Sequence, residues 1–287
     1  MTASTLLTQP EHHGLVESMP FPEYLAIEAL SASSARKLLP PSCPALYRQE
    51  QLEPQRTREM DFGHIAHAAI LEGFDVADLA AEVPGDWRTK GPKAEKEAVE
   101  ANGLVALHPK EWAAATGMLA ALRSHQTAAA LFTGGRPEVS LFWTEPKSGA
   151  PRKGRLDYLS ERRSSGRLVL ADYKTSTTSV HPSEFGRTVL SYGYAHQLAG
   201  YEEGVRVLDI DDDPQFLLIA QETRAPYLVQ ALEIPEDAMR IAREHVRQAC
   251  QIYVQCVETG QWPGYGTEVA QVEIPYWWLN KWAELAK

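Results

Sequence analysis

Hydrophobic and polar positions along this chain follow two regimes, a helical period first and a strand-like alternation after it. Up to about residue 135, apolar side chains recur mostly three or four positions apart, the spacing of one helix face. "SASSARKLLPPSCPALYRQ" reads as a short serine-capped helix broken at Pro40-Pro41, with another helical turn behind it. "REMDFGHIAHAAILEG" places Phe62, Ile65, Ala69 and Ile70 at helical spacing and stops at Gly73. "HPKEWAAATGMLAALRSHQTAAALF" predicts one long helix ended by Gly134-Gly135. Residues 1–20 are polar and predict a loose end, and 75–108 are charged and irregular, with "PGDWRTKGPKAEKEA" the expected mobile segment.

The period then changes. "PEVSLFWTE", "KGRLDYLSE" and "RLVLADYK" predict three strands, the last two joined by the turn-rich "RRSSG". A long helix, "SEFGRTVLSYGYAHQLAGYEEGV", comes next. "PQFLLIAQET" and "YLVQALEIP" then predict a hairpin around Arg224-Ala225-Pro226. The helix "EDAMRIAREHVRQACQIYVQCVETG" leads into an aromatic tail with Tyr276, Trp277, Trp278 and Trp282. No repeat or low-complexity linker divides the chain. The expected architecture is one α/β domain over 21–287, with a helical N-terminal part (21–135) and a core (136–287) in which a mixed central sheet is flanked by helices.

Composition narrows the function classes. With 44% hydrophobic and 23% charged residues in 287, the chain has the make-up of an ordinary soluble globular protein. It lacks an apolar run of the ~20 residues that span a bilayer. Its start has no basic segment followed by an apolar block, so a cytosolic location without a membrane partner is expected. Cys43, Cys250 and Cys256 are too few for a disulfide framework or a four-cysteine iron–sulfur cluster, and are expected to be plain thiols. A net charge of −10 excludes indiscriminate coating of nucleic acid. It leaves room for an enzyme that keeps acids at its site and bases in local groups. Such groups are Arg152, Lys153 and Arg155; Arg162, Arg163 and Arg167; and Lys90, Lys93 and Lys96; a solvated surface is the simpler reading of each.

The chemistry concentrates in "LVLADYKTST", residues 168–177, where an apolar strand ends in an acid and a base. Asp172 and Lys174 are two apart, so both leave the same face of a strand, while Tyr173 points away and keeps its carbonyl oxygen available. Antiparallel pairing with "KGRLDYL" brings Asp157 to the same end of the hairpin. Two carboxylates in so small a volume repel, which raises a pKa or demands a cation. Oxygen ligands suit Mg²⁺, with Mn²⁺ as substitute, and Lys174 beside the metal is placed to act on a water or a phosphate. Glu138 opens the first strand as a further candidate acid. His67 and His64 lie on one helix, and Gln197 and Tyr201, four apart, share a helix face that either holds a phosphate or a nucleotide end or simply packs.

In order, "FGHIAHAAILEG", "PEVSLFW", "GRLDYL", "LADYKTS" and "YAHQLAGYEEG" resemble the RecB-type branch of the PD-(D/E)xK nucleases, and within it the RecE-like exodeoxyribonucleases (exodeoxyribonuclease VIII). The resemblance spans most of residues 20–285. It implies a restriction-endonuclease-like core in which His67, Glu138, Asp157, Asp172 and the Tyr173 carbonyl hold the metal. Lys174 falls on the catalytic lysine, and Gln197 with Tyr201 on the branch's Gln-xxx-Tyr motif. It further implies 5′-to-3′ degradation of double-stranded DNA ends, a homo-oligomeric ring and a RecT-like single-strand annealing partner. Rival readings are a Cas4-like or endonucleolytic enzyme on the same site, and a non-catalytic DNA-binding recombination scaffold; the missing fourth cysteine weighs against the Cas4-like version.

Overall fold

The structure, a computed structural model, describes residues 12–53, 58–160 and 166–283. Arg162, Arg163, residues 1–11 of the expected loose end and the side chain of His64 lie outside what is described. The N-terminal half is β1 (Gly14–Val16), α1 (Phe21–Ala26), β2 (Leu30–Ser31), a 3-10 turn (Ala35–Leu38), α2 (Pro44–Leu52), α3 (Arg58–Leu71), α4 (Val76–Leu79), β3 (Ala80–Glu82), α5 (Lys90–Ala101), β4 (Val105–Leu107), α6 (Pro109–Ser124) and α7 (Gln126–Leu131). The second half is β5 (Arg136–Thr144), β6 (Pro151–Leu159), β7 (Val169–Ser176), α8 (Pro182–Tyr192), α9 (Tyr194–Val207), β8 (Gln215–Glu222), β9 (Val229–Leu232), α10 (Glu236–Thr259) and α11 (Tyr276–Ala283). Among the described residues no helix is long and apolar enough to cross a membrane.

The main sheet runs β1-β5-β6-β7-β8-β9, with β2 added beside β6, and is mixed: β7 and β8 are parallel and the other neighbours on that path are antiparallel. Helices cover both faces, as the alternation along the strands requires. On one face Leu141, Trp143, Leu156 and Leu170 meet Leu198 and Val205 of α9 and Val246 of α10. On the other, Tyr158, Val169, Ala171 and Tyr173 meet Ile65 of α3, Met118 of α6 and Leu131 of α7. The expected sheet-and-helix architecture is therefore present. The described cysteines are free and buried.

Four local expectations are corrected. Gly14–Val16 pairs with Ser140–Phe142 of β5, and Met19 is buried with Tyr24 and Phe142, so residues 14–19 are fixed, not loose. Residues 75–108 are ordered. Their α5 buries no residue and is held on its surface by ion pairs such as Lys96–Glu100 at 2.8 Å, which leaves no apolar period to read. The helix after Pro109 breaks at His125, whose Nδ1 accepts the Ala128 N–H at 3.2 Å and starts a new helix. Likewise α8 and α9 are separate helices, because Gly193 adopts φ 72° between them.

Candidate active site

Strands β6 and β7 pair only at Tyr158↔Ala171 and Leu159↔Leu170. Beyond that point they part. Further along the same edge of β6, β2 takes the vacated place, with Leu30 opposite Arg152 and Ser31 opposite Lys153. On that edge Gly154 to Asp157 therefore have no strand neighbour and face a window in the sheet. Two side chains bridge it. The Asp157 carboxylate accepts the Tyr173 N–H at 2.8 Å, and the Tyr201 hydroxyl, arriving from α9, donates to the Arg155 carbonyl at 2.6 Å. Each pairing spares a buried backbone group an unsatisfied cost of about 1–3 kcal/mol. Gly154 suits the same arrangement, since a Cβ there would stand 3.0 Å from two Tyr201 ring carbons and press on the ring. Because a strand residue's N–H and C=O share one edge, the Tyr173 carbonyl also faces the window.

The window gathers the predicted residues. Lys174 Nζ lies 2.6 Å from Asp172 Oδ2 and 3.8 Å from Asp157 Oδ2, and Gln197 Nε2 lies 3.4 Å from Asp172 Oδ1. From α3, His67 brings Nδ1 to 3.8 Å from Asp157 Oδ2 and sets its ring edge-on to Tyr173. Glu138 stands at the β5 position opposite Asp157, with φ 52°, a left-handed conformation uncommon for glutamate. Here β6 also loses its alternation, since Leu156 joins one core and Tyr158 the opposite one. This local distortion turns Glu138 and Asp157 toward His67. One ligand atom from each of the three lies within 4.8 Å of the others. Arg155 pairs with Glu138 and donates to the Met19 carbonyl at 2.8 Å, tying this acid to the N-terminal segment.

His67, Glu138 and Asp157 converge; Asp172 is turned instead to Lys174 and Gln197, because an ammonium two residues along the same strand face is its nearest counter-charge. Of the two readings of the Gln197–Tyr201 face, the contacts of the phenol fit internal packing. The Tyr201 hydroxyl is buried, takes the Gln197 amide N–H at 2.7 Å and gives its own proton to Arg155. It holds the window's shape.

Burial dominates the electrostatics. It pushes Asp157 up to about 6, against the lowering pull of Lys174 and with help from Glu138. It pushes Asp172 up to about 6 as well, where Asp157 adds to the rise. Burial disfavours the charged Lys174, but Asp172 and Asp157 outweigh it and hold the ammonium above the ordinary lysine range. Two carboxylates and an imidazole aimed at one point form a donor set that a divalent cation fits.

One of the basic groups, Arg152, Lys153 and Arg155, is not a surface patch. Arg152 is wholly buried against Trp143 and pairs with Glu203 at 3.2 Å. Lys153 donates to the Tyr24, Leu25 and Ile27 carbonyls at the end of α1, and burial lowers it to about 8. Arg155 serves Glu138. The Lys93 and Lys96 pairs on α5, by contrast, are exposed. Sequence reasoning missed Arg155, although its position two before Asp157 puts it on the same strand face. It also missed Tyr194, whose ring centre lies 5.3 Å from Lys174 Nζ and which sits one helical turn before Gln197.

The model of a family described as a PDDEXK-like domain of unknown function (DUF3799) matches residues 31–273. The chain belongs to this family. It is a nuclease of the PDDEXK type, and the window holds the acid–x–lysine strand end after which such domains are named. No curated protein matches the chain. A crystal structure of a candidate exonuclease from Eubacterium rectale shares the fold, at 14% identity over 88% of this chain and 92% of that one, with a TM-score of 0.58. A phage-related exonuclease from Haemophilus somnus 129PT, at 14% identity over 82% and 97% of the two chains, has a TM-score of 0.32 and adds nothing to the fold assignment.

Proposed function

We propose that the protein is a Mg²⁺-dependent exodeoxyribonuclease that degrades linear double-stranded DNA from 5′ to 3′ and leaves a 3′ single strand for a RecT-like annealing partner. Mn²⁺ substitutes for Mg²⁺, and the working form is a homo-oligomeric ring around the DNA. The observation that carries the catalytic part is the convergence of His67, Glu138 and Asp157 beside the Asp172–Lys174 pair, in a window that opens into a cleft of about 860 Å³. The polarity, ring and partner rest on the order of the sequence blocks, which resembles RecE-like enzymes.

In this reading His67, Glu138 and Asp157 hold the metal, with Asp172 and the Tyr173 carbonyl completing the donor set that the resemblance implies. The metal, when bound, supplies Lewis-acid activation of a water and of the scissile phosphate. In the metal-free site Asp172 and Asp157 favour the charged form of Lys174, and its ammonium is placed to face the charge that develops on the phosphoryl oxygens. Gln197 and Tyr201 are positioning residues, the first for Asp172 and the second for the window backbone.

End-labelled linear duplex is to be digested beside closed circular DNA with Mg²⁺, Mn²⁺, Ca²⁺ or chelator. Expected are release of nucleotides from 5′ ends with Mg²⁺ or Mn²⁺, survival of the circle, and binding with little turnover in Ca²⁺, whose looser coordination misplaces the reacting groups. Cutting of the circle would make the protein an endonuclease. Full activity in chelator would remove the metal from the mechanism.

A further inference from the structure

Next to the catalytic lysine the structure carries an aromatic step that the proposed chemistry does not use. Tyr194 opens α9 and presents its ring to Lys174 Nζ at 5.3 Å. Phe185, itself 1% exposed, backs this ring at 6.3 Å and fixes its place. Tyr192, the last residue of α8, stacks on Tyr194 with ring centroids 5.7 Å apart and planes 18° from parallel. Its own outer face is bare: Tyr192 is 64% exposed and the neighbouring Leu190 71%. Gly193 makes this possible, because its left-handed φ of 72° turns the chain so that residues two apart lie one on the other. Arg36 crosses this corner so closely that a Cβ on Gly193 would fall 1.9 Å from its Cδ, and its Nε is buried without a hydrogen-bond partner among the described residues.

A run of rings leading outward from the reacting cation, with a guanidinium alongside, is the arrangement that single-stranded nucleic acid uses: bases stack on rings while cations follow the backbone. Two steps of 5.3 Å and 5.7 Å carry the run from Lys174 to Tyr192. That is the reach of about two to three stacked nucleotides at ~3.4 Å each. We propose that the Tyr192–Tyr194 step binds an unpaired nucleobase of the DNA strand being cut, two or three nucleotides from the scissile phosphate, with Tyr192 as the outer stacking face. This site deepens the nuclease reading and rests on it. It requires that DNA reach the window partly unpaired.

The test measures binding in Ca²⁺ by fluorescence anisotropy, using a hairpin duplex that carries a short single-stranded tail. Each tail base is replaced in turn by an abasic site, for wild type and for Tyr192→Ala, Tyr192→Leu and Tyr192→Trp. Wild type should lose about 5- to 150-fold in affinity at one tail position, the worth of one stacked base. Tyr192→Ala and Tyr192→Leu should bind the intact tail as weakly as wild type binds that abasic probe, and should be indifferent to the abasic site. Tyr192→Trp should restore the sensitivity. A leucine variant that binds as well as wild type, or a wild type insensitive to every abasic position, would overturn the stacking step while leaving the nuclease reading intact. Failure of wild type to bind any DNA end would overturn both. The abasic scan on wild type alone decides the matter if a variant does not fold.

Discussion

Asp157 is anchored by the backbone of Tyr173: its carboxylate accepts that residue's N–H at 2.8 Å, across the point where β6 and β7 separate. The first acid of the site is therefore held by the strand that supplies the second acid and the lysine. Their spacing does not depend on loop geometry, and substitutions here test chemistry more than folding.

Lys174→Ala should bind DNA and metal nearly normally yet cut about 10²–10³-fold more slowly, the usual worth of one contact to developing charge. Lys174→Arg should not rescue it, because the 2.6 Å approach to Asp172 in a buried window suits an ammonium and not a planar guanidinium. Single-turnover cleavage measured beside DNA affinity checks this. Near-normal cutting by the arginine variant would reduce the pair to a structural ion pair.

Asp157→Asn and Asp172→Asn should each abolish cleavage while raising the metal-free melting temperature. Burial lifts both carboxyls from the ordinary range to about 6. Between about pH 4 and pH 6 the folded state thus holds protons that the unfolded chain has released, so these groups cost stability as pH rises through that window, and the cost persists at neutral pH. The melting gain of each asparagine variant over wild type should be larger at pH 7.5 than at pH 4.5. Added Mn²⁺ should cancel it by stabilising wild type alone. Equal gains at both pH values would count against a strained pair of acids.

Tyr201→Phe removes one hydroxyl and leaves the Arg155 carbonyl without its partner in the window. A loss of about 1–3 kcal/mol in denaturant unfolding is expected, together with a higher metal concentration for half-maximal activity. If stability fell while the metal requirement stayed fixed, Tyr201 would be a packing residue only.

Oligomeric state bears on the ring. The C-terminal segment leaves Tyr276 at 78% and Trp277 at 67% exposed, in keeping with a contact between copies. Light scattering at micromolar concentration should give a multiple of 31.9 kDa. A monomer would remove the ring from the proposed function without touching the catalytic site.

Much of the site is legible in the sequence because strand physics makes it so. An apolar run such as Val169–Ala171 that ends in Asp172 and Lys174 conflicts with burial, and such conflicts mark sites. The window was not legible. It depends on β2, a two-residue strand with no pattern of its own, taking the place beside β6 that β7 leaves. The group Arg152, Lys153 and Arg155 suggested surface, yet β6 is covered on both faces, so each cation needed an internal partner that sequence distance hides, such as Glu203 for Arg152. Similarly, the i, i+4 spacing of Gln197 and Tyr201 fixed their common face but not what the hydroxyl would meet.

The short strand Gly14–Val16 has a bearing on how the chain is handled. It covers β5, which without it would be the rim of the sheet, a row of free donors and acceptors opposite Ser140–Phe142. Phe142 beneath that rim is wholly buried, so trimming the N-terminus past residue 16 would uncover apolar surface and unpaired backbone together. Such a shortened chain would keep every site residue and still invite strands from other molecules to add to it. Insolubility after N-terminal trimming would then report a lost edge guard, not a lost active site.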